Sequence, residues 1–308
     1  MKVRHLLTLL DLTPGDLIGL LDRADRLKAQ HRSGGSHRPL TGKTLGLLFE
    51  KASTRTRVSF EAAMNQLGGS GLTLSAADLQ LKRGETVADT ARVLSRYLDA
   101  LVIRTFGHDH LEAWAAAATI PVVNGLTDLH HPCQVLGDLM TIRERFGALK
   151  GLKLAYIGDG NNVAHSLIEG AAKTGIEIHL ACPKGYGPNP RIVEASRIVA
   201  KQTGAQIETM EEPRKAARDA DILYTDVWVS MGQEKEAKSR LKKFKPYQIN
   251  DKLLSVARPS AVVMHCLPAH RGMEITAEVL DGKQSIVWDQ AGNRLHIQKA
   301  ILEWLLIS

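Results

Sequence analysis

Short apolar runs alternate with segments of helical periodicity along most of this chain. Leu45–Phe49, Ala100–Ile103 and Pro121–Val123 read as buried strands in the first half. A second series begins at Leu152, in Leu-Lys-Leu-Ala-Tyr-Ile-Gly-Asp-Gly. It continues with Ile176–Ala181, Ile222–Thr225, Ala261–Met264 and Ser285–Trp288. Helical segments separate the runs. Thr13-Pro14 reads as an N-cap with proline at the first helical position. Leu17, Leu20, Leu21, Ala24 and Leu27 then recur on one face, and Ala62, Ala63 and Leu67 do the same after the first strand. Strands separated by helices build parallel sheets with helical cover. The expected fold is therefore α/β, with two doubly wound parallel-sheet domains. The boundary is placed near Gly147-Ala148-Leu149-Lys150-Gly151, after an amphipathic helix from about Cys133 to Phe146. That gives domains 1–147 and 148–308, with a last helix over about 294–306 expected to pack back on the first.

The 308 residues, 44% of them hydrophobic, suffice for two ordinary cores. Charge narrows the partner. The excess of 40 Lys+Arg over 33 Asp+Glu, a net +7, suits an anion: nucleic acid, a membrane surface or a small phosphorylated substrate. Three cysteines, Cys133, Cys182 and Cys266, make no disulfide framework and suit a reducing compartment. No apolar run reaches the ~18–20 residues needed to cross a bilayer. The opening Met-Lys-Val-Arg-His-Leu-Leu-Thr-Leu-Leu-Asp-Leu is too short and too soon acidic for a secretory leader. A cytoplasmic protein is expected.

Four segments carry chemistry, each just beyond an apolar run or at a helix start. Ser53-Thr54-Arg55-Thr56-Arg57 combines hydroxyls at a strand-to-helix turn with arginines. Free backbone N–H groups and the helix dipole favour phosphate there, and Arg55 adds a planar fork. The same residues would equally make an N-cap with exposed arginines. In His131-Pro132-Cys133-Gln134, the proline places His131 and Gln134 near a helix N-terminus, where a histidine resists protonation and can donate to a carbonyl oxygen. A capped turn with a core histidine is the plainer alternative. Asp226, followed by Ser230-Met231-Gly232, puts a carboxylate and a small-residue loop at a strand end, where open α/β sheets bind ligands. An ordinary surface loop would look the same. His265-Cys266-Leu267-Pro268-Ala269-His270 has the look of a metal site, yet no second ligand cluster accompanies it. A cysteine beside a cationic amine is the better reading, and spacing does not exclude a nucleophilic one.

Two segments mimic nucleotide sites. Gly158-Asp159-Gly160-Asn161-Asn162-Val163 follows a strand as a dinucleotide fingerprint does. Val163 replaces its third small residue, and the next strand ends in Leu180-Ala181-Cys182-Pro183, without a ribose-binding acid. The turn still places Asn161 and Asn162 well for a substrate. Thr41-Gly42-Lys43-Thr44 resembles the end of a P-loop, but His37 stands where a glycine is required and the segment precedes its strand.

The four segments, in this order and at these separations, resemble the ornithine carbamoyltransferase family. Leu81-Lys82-Arg83-Gly84-Glu85-Thr86, Asp89-Thr90-Ala91-Arg92, Ile103-Arg104-Thr105-Phe106 and Gly292-Asn293-Arg294-Leu295-His296 agree with it. The resemblance covers nearly the whole chain. Cys266 and Ser230-Met231-Gly232 separate it from the aspartate-specific relatives and, more weakly, from those that take acylated ornithines.

The resemblance implies that the carbamoyl group of carbamoyl phosphate passes to the δ-amine of L-ornithine, in a cleft between the domains. Ser53, Thr54, Arg55 and Thr56 would hold the phosphate. Arg104, His131 and Gln134 would surround the carbamoyl group, with Cys266, Leu267 through its carbonyl, and Arg294 completing the pocket. Gln80 would come from a neighbouring subunit of a homotrimer. Arg104, His131, Thr56 and Cys266 would be catalytic, Cys266 by orienting the δ-amine. Asn162, Asp226, Ser230 and Met231 would hold the amino-acid end of ornithine. No cofactor, metal, nucleic acid or membrane is implied. Putrescine or an acylated ornithine is the alternative acceptor. An NAD-dependent oxidoreductase built on Gly158-Asp159-Gly160 is a rival of another class. A nucleic-acid binder is disfavoured by the 5% aromatic content and scattered cations; the one basic cluster, Lys235–Lys245, reads as a solvated helix.

Overall fold

The computed structural model describes residues 3–75, 79–232 and 234–307, apart from the side chains of Lys82 and Glu234. Met1 and Lys2, the start of the segment weighed as a leader, lie outside the described residues. The chain divides into two compact units, Met1–Met140 with Asn293–Ser308, and Thr141–Gly292.

The first unit holds a parallel four-stranded sheet in the order β2-β1-β3-β4. Its strands are β1 (Thr44–Phe49), β2 (Ser70–Ser75), β3 (Ala100–Arg104) and β4 (Val122–Leu126). The helices are α1 (Pro14–Arg32), α2 (Thr54–Gln66), α3 (Val87–Leu94), α4 (His108–Ala117) and α5 (Pro132–Phe146), whose last turns pass into the second unit. α1 begins as expected: the Thr13 hydroxyl accepts from the Asp16 N–H at 3.0 Å while Asp16 accepts from the Thr13 N–H, with Pro14 first in the helix. Leu17, Leu20, Leu21, Ala24 and Leu27 are all buried. Leu48, Leu101, Ile103, Leu111 and Trp114 lie in the apolar core around β3.

The second unit holds a parallel five-stranded sheet in the order β7-β6-β5-β8-β9. Its strands are β5 (Lys153–Ile157), β6 (Glu177–Ala181), β7 (Ile207–Met210), β8 (Ile222–Thr225) and β9 (Val262–His265). Its helices are α6 (Asn162–Thr174), α7 (Pro190–Thr203), α8 (Pro213–Ala217), α9 (Ala237–Phe244), α10 (Asp251–Leu254) and α11 (Ala277–Leu280). α12 (Val287–Leu306) begins here, and its residues from Asn293 onward belong to the first unit. Ala155, Ile157, Leu223, Val263 and Ile275 lie in the second core. No helix among the described residues is long and apolar enough to cross a membrane.

The structure corrects the strand reading in three places. β2 and β7 carried no apolar signal because both are sheet edges, and most of their residues stay exposed or half-buried. Ser285–Trp288 is not a strand: Ser285 makes one isolated bridge to Val263, and α12 starts at Val287. The apolar run Ile286-Val287-Trp288 misled because it straddles a helix start, where Trp288 faces solvent.

Each sheet has one switch point. In the first, the order reverses between β1 and β3; in the second, between β5 and β8. A crevice opens there outside the carboxyl ends of the strands, where α/β sheets bind ligands. The segments that end β1, β3, β5 and β8 are Ser53–Arg57, Arg104–Thr105, Gly158–Asn162 and Asp226.

The glycines of Gly158-Asp159-Gly160 serve packing. A Cβ on Gly160 would stand 2.2 Å from the Pro188 nitrogen and 2.3 Å from the Gly187 carbonyl carbon, while Gly158 has φ +146°. The close approach that suggested a pyrophosphate is made by the chain's own 187–188 backbone. Gly160→Ala is expected to cost about 2–3 kcal/mol, the usual scale of overpacking against an unyielding neighbour. Gly187→Ala, with nothing within 4 Å of the new Cβ, is the matched control. Thermal denaturation of both checks this; equal melting temperatures would remove the argument.

Candidate active site

In the first unit the Ser53 side chain caps α2, its hydroxyl accepting from the Thr56 N–H at 3.2 Å. The first N–H groups of α2 thus open at the end of β1 with no acidic residue in the first turn. Thr54 and Arg55 are exposed there, and Thr56 is buried. The β1–β3 register sets Phe49 beside Arg104, so the last residue of β3 flanks this turn. Arg294, 4% exposed, donates from Nη1 to Gln134 Oε1 at 2.5 Å and from Nη2 to Thr56 Oγ1 at 3.3 Å. Gln134 in turn donates to the buried Asp138 carboxylate at 2.8 Å. The α2 start, the head of α5 and α12 are joined by these bonds.

His131 lies within this cluster. Burial first, then the positive charges of Arg294, Arg104 and Arg55, push its imidazole well below 6.5. It is a neutral ring among three guanidiniums, which leaves the cluster's positive charge on the arginines. Burial likewise pushes the Cys133 thiol up to about 12, and its Sγ donates to the Asn124 carbonyl at 3.4 Å. Cys133 is a packing thiol. Gln80 is exposed at the start of a short 3-10 turn, its carbonyl accepting from Gly84 and Glu85. No bond joins it to the arginine cluster of its own chain among the described residues.

In the second unit the β8–β9 register pairs Thr225 with His265, so the residues that follow, Asp226 and Cys266, emerge side by side. Cys266 Sγ donates to Asp226 Oδ1 at 2.8 Å, the Val227 N–H donates to the same oxygen at 2.8 Å, and Asn161 Nδ2 donates to Oδ2 at 2.7 Å. The Asn161 carbonyl oxygen caps α6, accepting from Val163 and Ala164. Asn162 is the first residue of α6 and half-buried. Ser230 is half-buried and Met231 exposed on the loop beyond Trp228.

One nitrogen or sulfur or oxygen from each of Asp226, His265 and Cys266 lies within 4.8 Å of the others. The imidazole is already committed: Nδ1 accepts from the Leu267 N–H at 2.8 Å and Nε2 faces Glu274 Oε1 at 3.1 Å. Metal ligation by His265 would break one of these bonds. Burial works to raise the Glu274 carboxyl, but hydrogen bonds from His265 and the His270 amide hold it below its ordinary value. This buried brace positions Leu267, whose φ is +57° and which precedes a cis peptide bond to Pro268.

The reading of Lys235–Lys245 as solvated is corrected at two positions, Arg240 and Phe244, both buried. Lys238, Lys242 and Lys243 are exposed, but Arg240 is buried on the inner face of α9, where it meets Asp159 and the Trp228 carbonyl. Burial pushes the Asp159 carboxyl up to about 6, against the pull of Arg240. The sequence places Asn161 with Asn162 for a substrate; in the fold Asn161 instead caps α6 and bonds Asp226, and an asparagine just before a helix signals such a cap. Arg240 had no sequence signal, because only the fold shows which cation of a basic run faces inward.

Residues 4–144 match the carbamoyl-P binding domain, and residues 150–305 the Asp/Orn binding domain, of aspartate/ornithine carbamoyltransferase. Ornithine carbamoyltransferase of Oceanobacillus iheyensis is 55% identical over 99% of this chain and 95% of its own length. A Pyrococcus furiosus relative named as anabolic ornithine carbamoyltransferase is 52% identical over 97% of this chain and 95% of its own. The solved ornithine carbamoyltransferase structure from Pyrococcus furiosus superposes with a TM-score of 0.97 at 51% identity, covering 99% of this chain and 97% of that one. With both halves matched end to end, and with the arginine cluster and the Asp226–Cys266 pair each standing at a sheet's switch point, this chain belongs to the aspartate/ornithine carbamoyltransferase family.

Proposed function

We propose that this protein transfers the carbamoyl group of carbamoyl phosphate to the δ-amine of L-ornithine, releasing L-citrulline and phosphate. The observation that carries the choice of acceptor is the Asp226 carboxylate held between Cys266 and Asn161. A carboxylate at the sheet's switch point suits a diamino acid, whose ammonium groups it attracts, better than a dicarboxylate. The names of the relatives agree with this acceptor, and the anabolic Pyrococcus furiosus relative agrees with the citrulline-forming direction.

Carbamoyl phosphate is held chiefly by first-unit groups. The α2 N-terminus and Arg55 take the phosphate, and the Ser53, Thr54 and Thr56 hydroxyls add to the cradle. Arg104, neutral His131 and Thr56 face the carbamoyl oxygen, with Gln134 and Arg294 fixing the group's orientation. Attack by the δ-nitrogen forms the C–N bond and drives charge onto that oxygen. Donors already in place there stabilise the tetrahedral state, each commonly worth about 3–4 kcal/mol when removed. The C–O bond to phosphate then breaks. The departing phosphate takes the amine proton, so no separate base is required. Asp226 pairs with the α-ammonium, Asn162, Ser230 and Met231 hold the rest of the amino-acid end, and the loop bearing Ser230 closes over it. Cys266 orients the δ-amine, and the Leu267 carbonyl accepts from the carbamoyl amide. The Cys266 sulfur donates to Asp226, which suits orientation and not covalent attack.

A homotrimer is part of this reading, with Gln80 completing a neighbour's phosphate site. Its support is an exposed Gln80 together with half-exposed Val58, Leu72, Val93 and Phe106 and a largely exposed Tyr97 on the first unit. A cytoplasmic setting suits the three free cysteines. The test is citrulline-type product formation with ornithine, putrescine, N-acetylornithine and aspartate in parallel. Ornithine is expected to exceed the others by at least about a hundredfold in kcat/KM, the discrimination available when a buried polar group loses its partner. Preference for putrescine or the acetylated substrate would replace the acceptor assignment.

A further inference from the structure

We propose that a crevice between α1, α2 and α12 binds the zwitterionic head group of a small α-amino acid, with Lys299 taking the carboxylate and Gln66 the ammonium. This site stands apart from the carbamoyl-transfer residues and from the choice of acceptor.

The crevice holds about 100 Å³ and lies wholly within the first unit. Leu27 on α1, Gln66 and Leu67 at the end of α2, and Lys299 on α12 line it, and the exposed Gly35 and Ser36 form its rim. Two of its polar groups lack partners. Lys299 is 4% exposed, and among the described residues no hydrogen bond or ion pair holds its ammonium. Burial keeps that ammonium below its ordinary value, while the Glu303 carboxylate pulls the other way. Glu303 is committed elsewhere. Its Oε2 accepts from Arg23 Nε at 2.5 Å, and its Oε1 accepts from Arg23 Nη2 at 3.1 Å and faces His37 Nε2 at 2.5 Å. On the α2 side, Gln66 Oε1 is buried without a hydrogen-bond partner. A buried donor or acceptor left unmade is costly, so both groups favour an occupant.

A cationic donor and an amide acceptor in one small crevice ask for opposite charges on one ligand. An anion alone would satisfy Lys299 and leave Gln66 Oε1 unmade. An amine alone would be repelled by Lys299. An α-amino acid carries a carboxylate and an ammonium on a single carbon, and Leu27 and Leu67 offer that carbon an apolar wall. The volume suits little beyond the head group, so a longer side chain extends past the rim. Ser53–Thr56 open α2 at its far end, about 18 Å along the helix axis from Gln66. Arg294 and Lys299 share α12 but stand about 140° apart around it, so each faces a different side.

The experiment titrates the full-length, ligand-free protein with L-alanine, read by calorimetry and saturation-transfer NMR. A Kd of about 1–10 mM is expected, the range open to a ligand of so few heavy atoms. N-acetyl-L-alanine, L-alaninamide and acetate each lack one of the two charges and should bind at least about tenfold more weakly. L-Norvaline, the ornithine skeleton without its δ-amine, should match alanine. Lys299→Met should weaken both alanine and acetate at least about tenfold, whereas Gln66→Leu should weaken alanine about fivefold and leave acetate unchanged. Asp226→Ala should bind alanine as wild type does. Circular dichroism and melting check the fold of each variant. If Lys299→Met does not fold, Gln66→Leu and the analogue series on wild type carry the same comparison. No saturable binding up to about 50 mM would mean that the crevice holds water only. That result, acetate binding as tightly as alanine, or loss of alanine binding in Asp226→Ala would each overturn the proposal.

Discussion

Replacing Arg55 with alanine is expected to lower kcat/KM for carbamoyl phosphate by about a thousandfold, the upper range for losing one charged donor aimed at a reacting anion. The melting temperature should stay within about 2 °C, because surface substitutions away from buried features change stability little. Arg55 is exposed at the mouth of α2, where no acidic side chain in the first turn competes for it. Its loss removes a bidentate partner for phosphate and leaves the cap made by Ser53 intact. Arg294 makes the useful contrast. It is buried and bonded to Gln134 and Thr56, so its removal would weaken both binding and fold. Equilibrium titration with carbamoyl phosphate alone, beside a thermal melt, separates the two. A variant that binds carbamoyl phosphate normally but loses ornithine would reverse the assignment of the half-sites.

Asp226→Ala should act on the other substrate. Its carboxylate accepts from Cys266, Val227 and Asn161, and in this reading from the α-ammonium of ornithine. Removing one partner of a buried charge pair costs about 2–5 kcal/mol, so kcat/KM for ornithine is expected to fall by about a thousandfold. Carbamoyl phosphate binding should be unchanged within about twofold, since all its proposed charge contacts lie on the first unit. The check is the pair of titrations, carbamoyl phosphate alone and then L-norvaline in its presence. Loss of carbamoyl phosphate binding in this variant would show that Asp226 shapes the phosphate site.

The arginine cluster illustrates why its members were legible. Each of Ser53–Arg57, Arg104 and His131–Gln134 follows a strand whose apolar run is plain in the sequence, and a strand end in an open α/β sheet is already a ligand position. The neutral state of His131 was foreseeable only in direction, from a helix start. Its cause in the fold is chiefly burial, followed by three guanidiniums drawn from β3, α2 and α12.

In the second unit the candidate residues are marked by sequence, but their geometry is not. Asp226 and Cys266 are 40 positions apart, and their contact follows from the one-to-one pairing of β8 with β9. Register is a long-range property set by which strands are neighbours. Nothing local to either segment records it.

Local chemistry in the chain therefore accounts for the α/β class, the central strands, the helix caps and the anion-seeking turn. Those depend on periodicity, proline and hydroxyl placement within a few residues. The edge strands β2 and β7, the helical fate of Val287, the inward turn of Arg240 and the Asn161–Asp226–Cys266 chain of bonds belong to the folded molecule alone. Each depends on which distant segment lies alongside. A cation in a basic run is solvated unless a buried carboxylate such as Asp159 faces it, and only packing brings the two together.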